Sequence, residues 1–223
     1  MARLPAKEKH DEEVRRKVLM SAKRLFIEQG YAKTTIRQIV DDSGIMIGSI
    51  YHFFKNKADI FQSLMQEMLD QSSRLVKERF GRESAVIQIA IIFLIEIEAI
   101  KSNKNVRDSF FEGDAMLEAF EHRIDSISHL SQQLFAELLP SLAYEDYFAR
   151  TLLIHGMMRS YITSYYFTRK VQTKLSYGLF LRMVLPVYGV KEAEIAVITA
   201  RIEALHQQIH DVTQDLITRV TVR

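Results

Sequence analysis

The chain has 223 residues, 48% of them hydrophobic and 26% charged, the proportions of a soluble globular protein with room for one large or two modest cores. It contains no cysteine, which excludes disulfides, thiolate metal sites and cysteine nucleophiles. The net charge of +2 is unevenly placed: residues 1–57 hold 12 Lys/Arg against 7 Asp/Glu, and residues 58–223 hold 18 against 21.

Eight glycines and three prolines leave few interruptions, so an all-α fold is expected. The charged N-terminus, MARLPAKEKHDEEVRRK, has no apolar segment of the signal-peptide kind. The most apolar run, AVIQIAIIFLI at 85–95, is shorter than the roughly 18 residues of a membrane span and reads as a buried helix. A cytoplasmic protein without membrane contact is expected.

In chain order, a first helix is expected over 12–29, with Val14, Val18, Leu19, Ala22, Leu25 and Phe26 at helical spacing and Gly30 as its stop. Thr35 suits the N-cap of a short second helix reaching Asp42, Gly44 the turn after it, and 46–53 a third helix. Asn56 would cap a fourth helix that carries Ile60, Phe61, Leu64, Met65, Met68 and Leu69 toward Phe80. Further helical patterns follow at 83–102, 104–112, 115–139, 142–170, 173–186 and 191–217, with no internal repeat. The expected division is an N-terminal domain over 1–57 and a C-terminal helical domain over 58–223.

The stretch 34–61 has the pattern of a helix-turn-helix that presents its last helix to a DNA major groove. Ile36, Ile39, Val40, Ile45 and Ile50 supply the apolar contacts between helices, which leaves Ile47, Gly48, Ser49, Tyr51 and His52 to face outward. Ser, Tyr and His can contact phosphates or base edges. Lys55 and Lys57 at the start of the fourth helix, and Thr34 and Thr35 with Arg37 at the second, are candidates for phosphate contact. The basic head fits this reading.

GYAKTTIRQIV followed by GIMIGSIYHFFKNKADIF resembles the N-terminal domain of the tetracycline-repressor (TetR/AcrR) family of bacterial regulators, over about residues 18–64. The resemblance implies that Thr34, Thr35, the Tyr51 hydroxyl and Lys57 meet phosphates. Arg37, Ile47, Gly48, Ser49 and His52 would then lie at or near base edges. The chain departs from the family pattern at Met46, where Ser or Thr is usual, and at Ile47, where a polar residue or proline is common. Met46 cannot cap, which costs the third helix about 1 kcal/mol. Ile47 either touches a thymine methyl or packs sideways and reads nothing.

For the body, the resemblance implies helices that enclose a ligand cavity and dimerise through the last long helices. Dimerisation also follows from the need to read two half-sites of a palindromic duplex operator. The amphipathic segments 144–168 and 191–215 are the expected interface. Gly156 would permit close helix approach there, or else leave room for a bulky neighbour within the chain. Phe93, Phe110, Phe111, Met116 and Phe120, opposite Tyr161, Tyr165 and Tyr166, form either plain core or the wall of a cavity. His129, His155 and Arg159 are placed to orient a ligand. An inward Arg159 would favour an anion, and an outward one would leave it to the surface or the dimer. Glu203, His206 and His210 have the spacing of a metal trio but read as a solvated face.

The chain shows no glycine-rich phosphate loop, GxSxG, HExxH or cysteine nucleophile, so neither enzymatic activity nor a cofactor is expected. The expected function is a homodimeric repressor released from duplex DNA by a small hydrophobic or aromatic effector. The alternative is a DNA-binding regulator, or an architectural or division factor, with no effector.

Overall fold

The computed structural model describes residues 6–113, 115–169 and 175–218. All regular structure among them is helical: α1 Ala6–Gln29, α2 Ile36–Ser43, α3 Ile47–Phe53, α4 Lys57–Phe80, α5 Ala85–Ser102, α6 Lys104–Gly113, α7 Leu117–Phe135, α8 Tyr144–Ser164, α9 Tyr177–Val184, a 3-10 turn Leu185–Tyr188, α10 Glu192–Ala204 and α11 His206–Thr218. No helix among them is long and apolar enough to cross a membrane.

The punctuation follows local chemistry. Gly30 takes φ +85° after α1, and Gly44 takes φ +68° after α2, donating its N–H to Val40 O. Thr35 and Gln38 form a reciprocal box, with Gln38 N–H donating to Thr35 Oγ1 (3.2 Å) and Thr35 N–H to Gln38 Oε1 (2.8 Å). Asn56 Oδ1 accepts from Asp59 N–H at 2.9 Å and starts α4.

Several ends differ from expectation. α1 begins at Ala6, since Ala, Lys and Glu sustain a helix without apolar periodicity. α7 stops at Phe135, where Leu138 and Leu139 turn back to its carbonyl ahead of Pro140. α8 stops at Ser164, and the last residue of the expected 142–170 element and the start of the expected 173–186 element lie outside the described residues. The segment expected as one helix over 191–217 breaks at Leu205, whose N–H is shared between Arg201 O and Ile202 O. Leu205 is buried, and the bend turns Ile209, Val212 and Leu216 of α11 into the body's core. The exposed side of α11 is polar, whereas α10 keeps Val197 71% exposed.

Two large apolar cores result, with a smaller cluster of Ala99, Ile100, Val106, Phe110, Ile162 and Ile217 beside them. The first joins Val18, Leu19, Ala22 and Phe26 of α1 to Ile39, Ile50 and Phe54, and takes Ile60, Phe61 and Leu64 from α4. The second surrounds α5, the most buried helix, whose Ile89, Ile91 and Leu94 are fully inaccessible. α4 runs through both, with Val76 and Phe80 in the second core.

A second link is α6, which grips the end of α1. Asn105 Nδ2 donates to Ile27 O (3.0 Å) and Glu28 O (2.7 Å), the carbonyls left open at that helix end. Tyr31 N–H donates to Ser109 Oγ at 3.2 Å. Gly113 abuts the Phe61 ring.

Candidate nucleic-acid interface and effector cavity

α3 divides cleanly into two faces. Ile50 is fully buried in the first core and Phe54, just beyond the helix, is buried with it. On the other side Ile47 is 52% and Tyr51 53% exposed, and Gly48 and His52 are exposed beside them. Ser49 is half-buried. Met46 occupies the N-cap with its side chain 77% exposed and no side-chain cap bond, as its chemistry requires. Lys55 is exposed, and its backbone N–H donates to the Asp59 carboxylate at 2.9 Å. Thr35 and Arg37 are exposed at the start of α2.

Two of the residues expected at the phosphates point inward. Thr34 is 1% exposed; its hydroxyl donates to Gly30 O (2.8 Å) and accepts from Gln29 Nε2 (3.2 Å). Lys57 Nζ donates to Tyr31 O (2.7 Å) and Thr34 O (2.8 Å) and lies 4.0 Å from the centre of the Tyr31 ring. Burial lowers the Lys57 pKa despite the attraction of Glu112. Both side chains satisfy the polar groups of the 30–35 loop, which otherwise would lack partners in a closely packed corner. Spacing along the chain places Lys57 at a helix start but does not say that a loop folds over it. Tyr51 and Lys55 are the outward groups left in that region.

The body contains a cavity of ≈ 70 Å³. Its walls are Met65, Met68, Leu69 and Ser72 of α4, Ile92, Ile95, Glu96 and Ala99 of α5, and Phe110 of α6. Arg123 and Ile127 of α7 and Thr213, Leu216 and Ile217 of α11 complete them. The lining is apolar except for four side chains. Glu96 and Arg123 form an ion pair at 3.8 Å, each side chain 14% exposed. The Thr213 hydroxyl donates to Ile209 O, whereas Ser72 Oγ has no hydrogen-bond partner.

Of the residues expected around a ligand, only Phe110 lines this cavity. Phe93 is buried in the α5 core, with the ring of His155 5.9 Å away. His155 is itself buried, and burial together with Arg123 holds its imidazole neutral, well below the usual histidine range. Phe111 is part-exposed against Tyr166, and Met116 precedes α7. Phe120 lies under the guanidinium groups of Arg123 and Arg159, and Arg159 is exposed rather than inward. His129 is exposed beside Asp125 and Tyr144. The Tyr161 and Tyr165 hydroxyls bond each other at 2.8 Å, with Arg107 over the Tyr165 ring. These aromatic groups serve separate contacts because the rotation of each helix about its axis is set by packing that the sequence does not display.

What went unread was α4 and α11. A serine on the line Met65, Met68, Ser72, Val76, and a glutamate inside the most apolar helix, were the available signals. His210 faces Glu98 at 3.4 Å while the His206 ring lies 5.3 Å from that of Tyr177, so the histidines of the suspected trio have separate neighbours.

The family of bacterial regulatory proteins, tetR family, matches residues 18–64. The HTH-type transcriptional repressor KstR2 of Mycolicibacterium smegmatis is 30% identical over 95 residues, 39% of this chain and 43% of that protein. The HTH-type transcriptional regulator YxaF of Bacillus subtilis is 41% identical over 71 residues, 26% of this chain and 37% of its own. The chain thus spans less than half the length of these two relatives. A solved gamma-butyrolactone receptor (ArpA-like protein) aligns with 88% of this chain and 98% of its own at 18% identity and a TM-score of 0.39, a likeness too loose to carry an argument.

Proposed function

We propose that this chain, a member of the TetR family of bacterial regulatory proteins through the helix-turn-helix of residues 18–64, is a homodimeric transcriptional repressor that a small apolar effector releases from its operator. The observation that carries the DNA half is the division of α3, in which Ile50 and Phe54 anchor the helix while Ile47, Gly48, Tyr51 and His52 face outward. A rigid helix with small and polar groups on its free side can enter the major groove. Ile47 offers only an apolar contact, which suits a thymine methyl. Tyr51 and Lys55 serve the phosphates.

The test uses a duplex selected from random sequence by the unmodified protein. Tyr51→Phe with Lys55→Ala is expected to weaken binding across sequences and to reduce the slope of log K against log salt by about 1. Unchanged affinity with an unchanged slope would rule out these phosphate contacts.

The dimer half rests on two faces that the chain leaves bare. On α8, Ala149, Leu152, Leu153, Gly156 and Ser160 recur at helical spacing, with Leu153 63% exposed. On α10, Ala193, Ala196, Val197 and Ala200 do the same, with Val197 71% exposed. Small residues allow close approach, and paired about a two-fold axis these faces form a four-helix seam. Gly156 has no atom within 4 Å of where a side chain would begin, so the space there is open within the chain. Leu153→Glu is expected to give a monomer in sedimentation equilibrium and to lose at least tenfold in operator affinity. A dimer that survives this change would move the seam elsewhere.

Release follows from position. The cavity touches Met65, Met68, Leu69 and Ser72 of α4 and Phe110 of α6, the two helices that hold the DNA reader. An effector that fits better when these helices shift by a differential of about 1–3 kcal/mol changes operator occupancy several-fold or more.

A further inference from the structure

The polar groups of the cavity say which kind of molecule it suits. Ser72 is 6% exposed, and its hydroxyl has no partner. A buried helical serine commonly donates to the carbonyl four residues back, as Ser128 does to Ile124 O and Thr213 to Ile209 O. Ser72 therefore keeps a donor and an acceptor available on the cavity wall, a state that buried polar groups rarely sustain without a partner.

The two charges on the wall face each other. With Glu96 and Arg123 3.8 Å apart, a carboxylate entering the cavity would meet the like charge of Glu96 beside Arg123, and an ammonium the like charge of Arg123 beside Glu96. Either guest loses its hydration while the matching counter-charge is already engaged. An uncharged guest leaves the ion pair intact and gains from the apolar walls.

Size adds a condition. A cavity of ≈ 70 Å³ is about half the roughly 150 Å³ that holds benzene in an engineered core. A larger guest must move the walls, and the most adaptable ones are Met65 and Met68, whose unbranched thioethers repack readily. Both belong to α4.

We propose that this cavity receives an uncharged, mainly apolar molecule with a single hydroxyl or carbonyl oxygen, which hydrogen-bonds to Ser72. The proposal rests on the reading that the helical body holds an effector, and it names the chemical class.

The test titrates the full chain at pH 7 by calorimetry with five probes on one ring: cyclohexane, cyclohexanol, cyclohexanone, cyclohexanecarboxylate and cyclohexylamine. Cyclohexanol and cyclohexanone are expected to bind several-fold more tightly than cyclohexane, and the two charged probes more weakly than cyclohexane. In Ser72→Ala the ratio of cyclohexanol to cyclohexane affinity should fall to near one. Ala99→Leu, which fills the void, should weaken all three neutral probes. A charged probe binding more tightly than the alcohol, a ratio unchanged in Ser72→Ala, or no binding by any probe overturns the proposal. Operator binding followed in the same samples separates the two readings. If the alcohol binds as expected while the DNA stays bound, the ligand class stands and effector release falls. If a charged probe releases the DNA and the alcohol does not, release stands and the ligand class falls.

Discussion

Gly113→Ala is expected to lower the melting temperature by roughly 2–10 °C, a cost of about 1–3 kcal/mol for forcing a methyl into a filled site of a chain this size. The added Cβ would lie 2.5 Å from Phe61 Cε1 and 2.8 Å from Cζ. A surface ring would swing aside, but the Phe61 ring is 2% exposed and fixed edge-on between Phe26, at 5.7 Å, and Tyr31, at 5.0 Å. The clash must therefore move α4, α6 or both. Phe61→Leu removes the atoms that collide, so the double variant should be more stable than the sum of the two single losses by about 0.5–3 kcal/mol. Strict additivity would show that the contact is relieved without moving Phe61.

The same variant probes transmission. Phe61 belongs to the core that fixes α3, and Gly113 ends the helix that carries Phe110 to the cavity. If displacement along this contact reaches the DNA reader, Gly113→Ala loses operator affinity beyond its loss of stability, and Phe61→Leu restores part of it. A fall in stability alone would confine the contact to packing and leave α4 as the route.

How far the sequence disclosed this arrangement depended on how local each feature was. Gly30, Thr35, Gly44 and Asn56 act on their own neighbours within a few residues, so the end of α1 and the bounds of α2, α3 and α4 could be placed almost to the residue, whereas the start of α1 was set six residues late. The outward face of α3 was equally legible, because Ile50 and Phe54 lie four apart on one face. The inward contacts of Thr34 and Lys57 were not legible because their partners are carbonyls 4 and 23–26 residues away, in a loop whose path no periodicity records. Leu205 offered no breaker to mark the bend, which arises from burial of both flanking helices in one core. The cavity is made by residues from five helices, and its membership depends on their relative rotation. The aromatic residues attracted attention by size, whereas the walls are mostly Ile, Leu and Met, with Phe110 the one aromatic, and Ser72, Thr213 and one ion pair the polar groups.

Lys23→Met is expected to stabilise the protein at pH 7 by about 2–3 kcal/mol, with the gain fading as the pH rises. Lys23 is 1% exposed on α1 and borders a small void that also touches Phe26 and Phe61 of the reader and Phe110 of α6. Burial lowers its pKa to about 8, against the attraction of Glu67, from an ordinary 10.5. Below pH 8 the lysine is charged in both the folded and unfolded chain, and the folded chain bears the desolvation cost that the attraction of Glu67 leaves uncompensated. Between pH 8 and 10.5 the unfolded chain binds more protons at this site, so the contribution of Lys23 to stability rises with pH. Above that window both states are neutral and the cost has gone. The difference in melting temperature between Lys23→Met and the unmodified protein should therefore be largest at pH 6–7 and shrink through pH 8–10. A difference independent of pH, or a variant less stable at pH 7, would mean that the contacts of Lys23 outweigh its burial. Lys23 borders a void lined by α1, α4, α6 and α11, so an apolar side chain there should tighten the packing between these helices. If an effector releases the operator as proposed, the methionine variant should bind DNA normally and need more effector for release, because tighter packing between α1 and α6 resists a shift of α6.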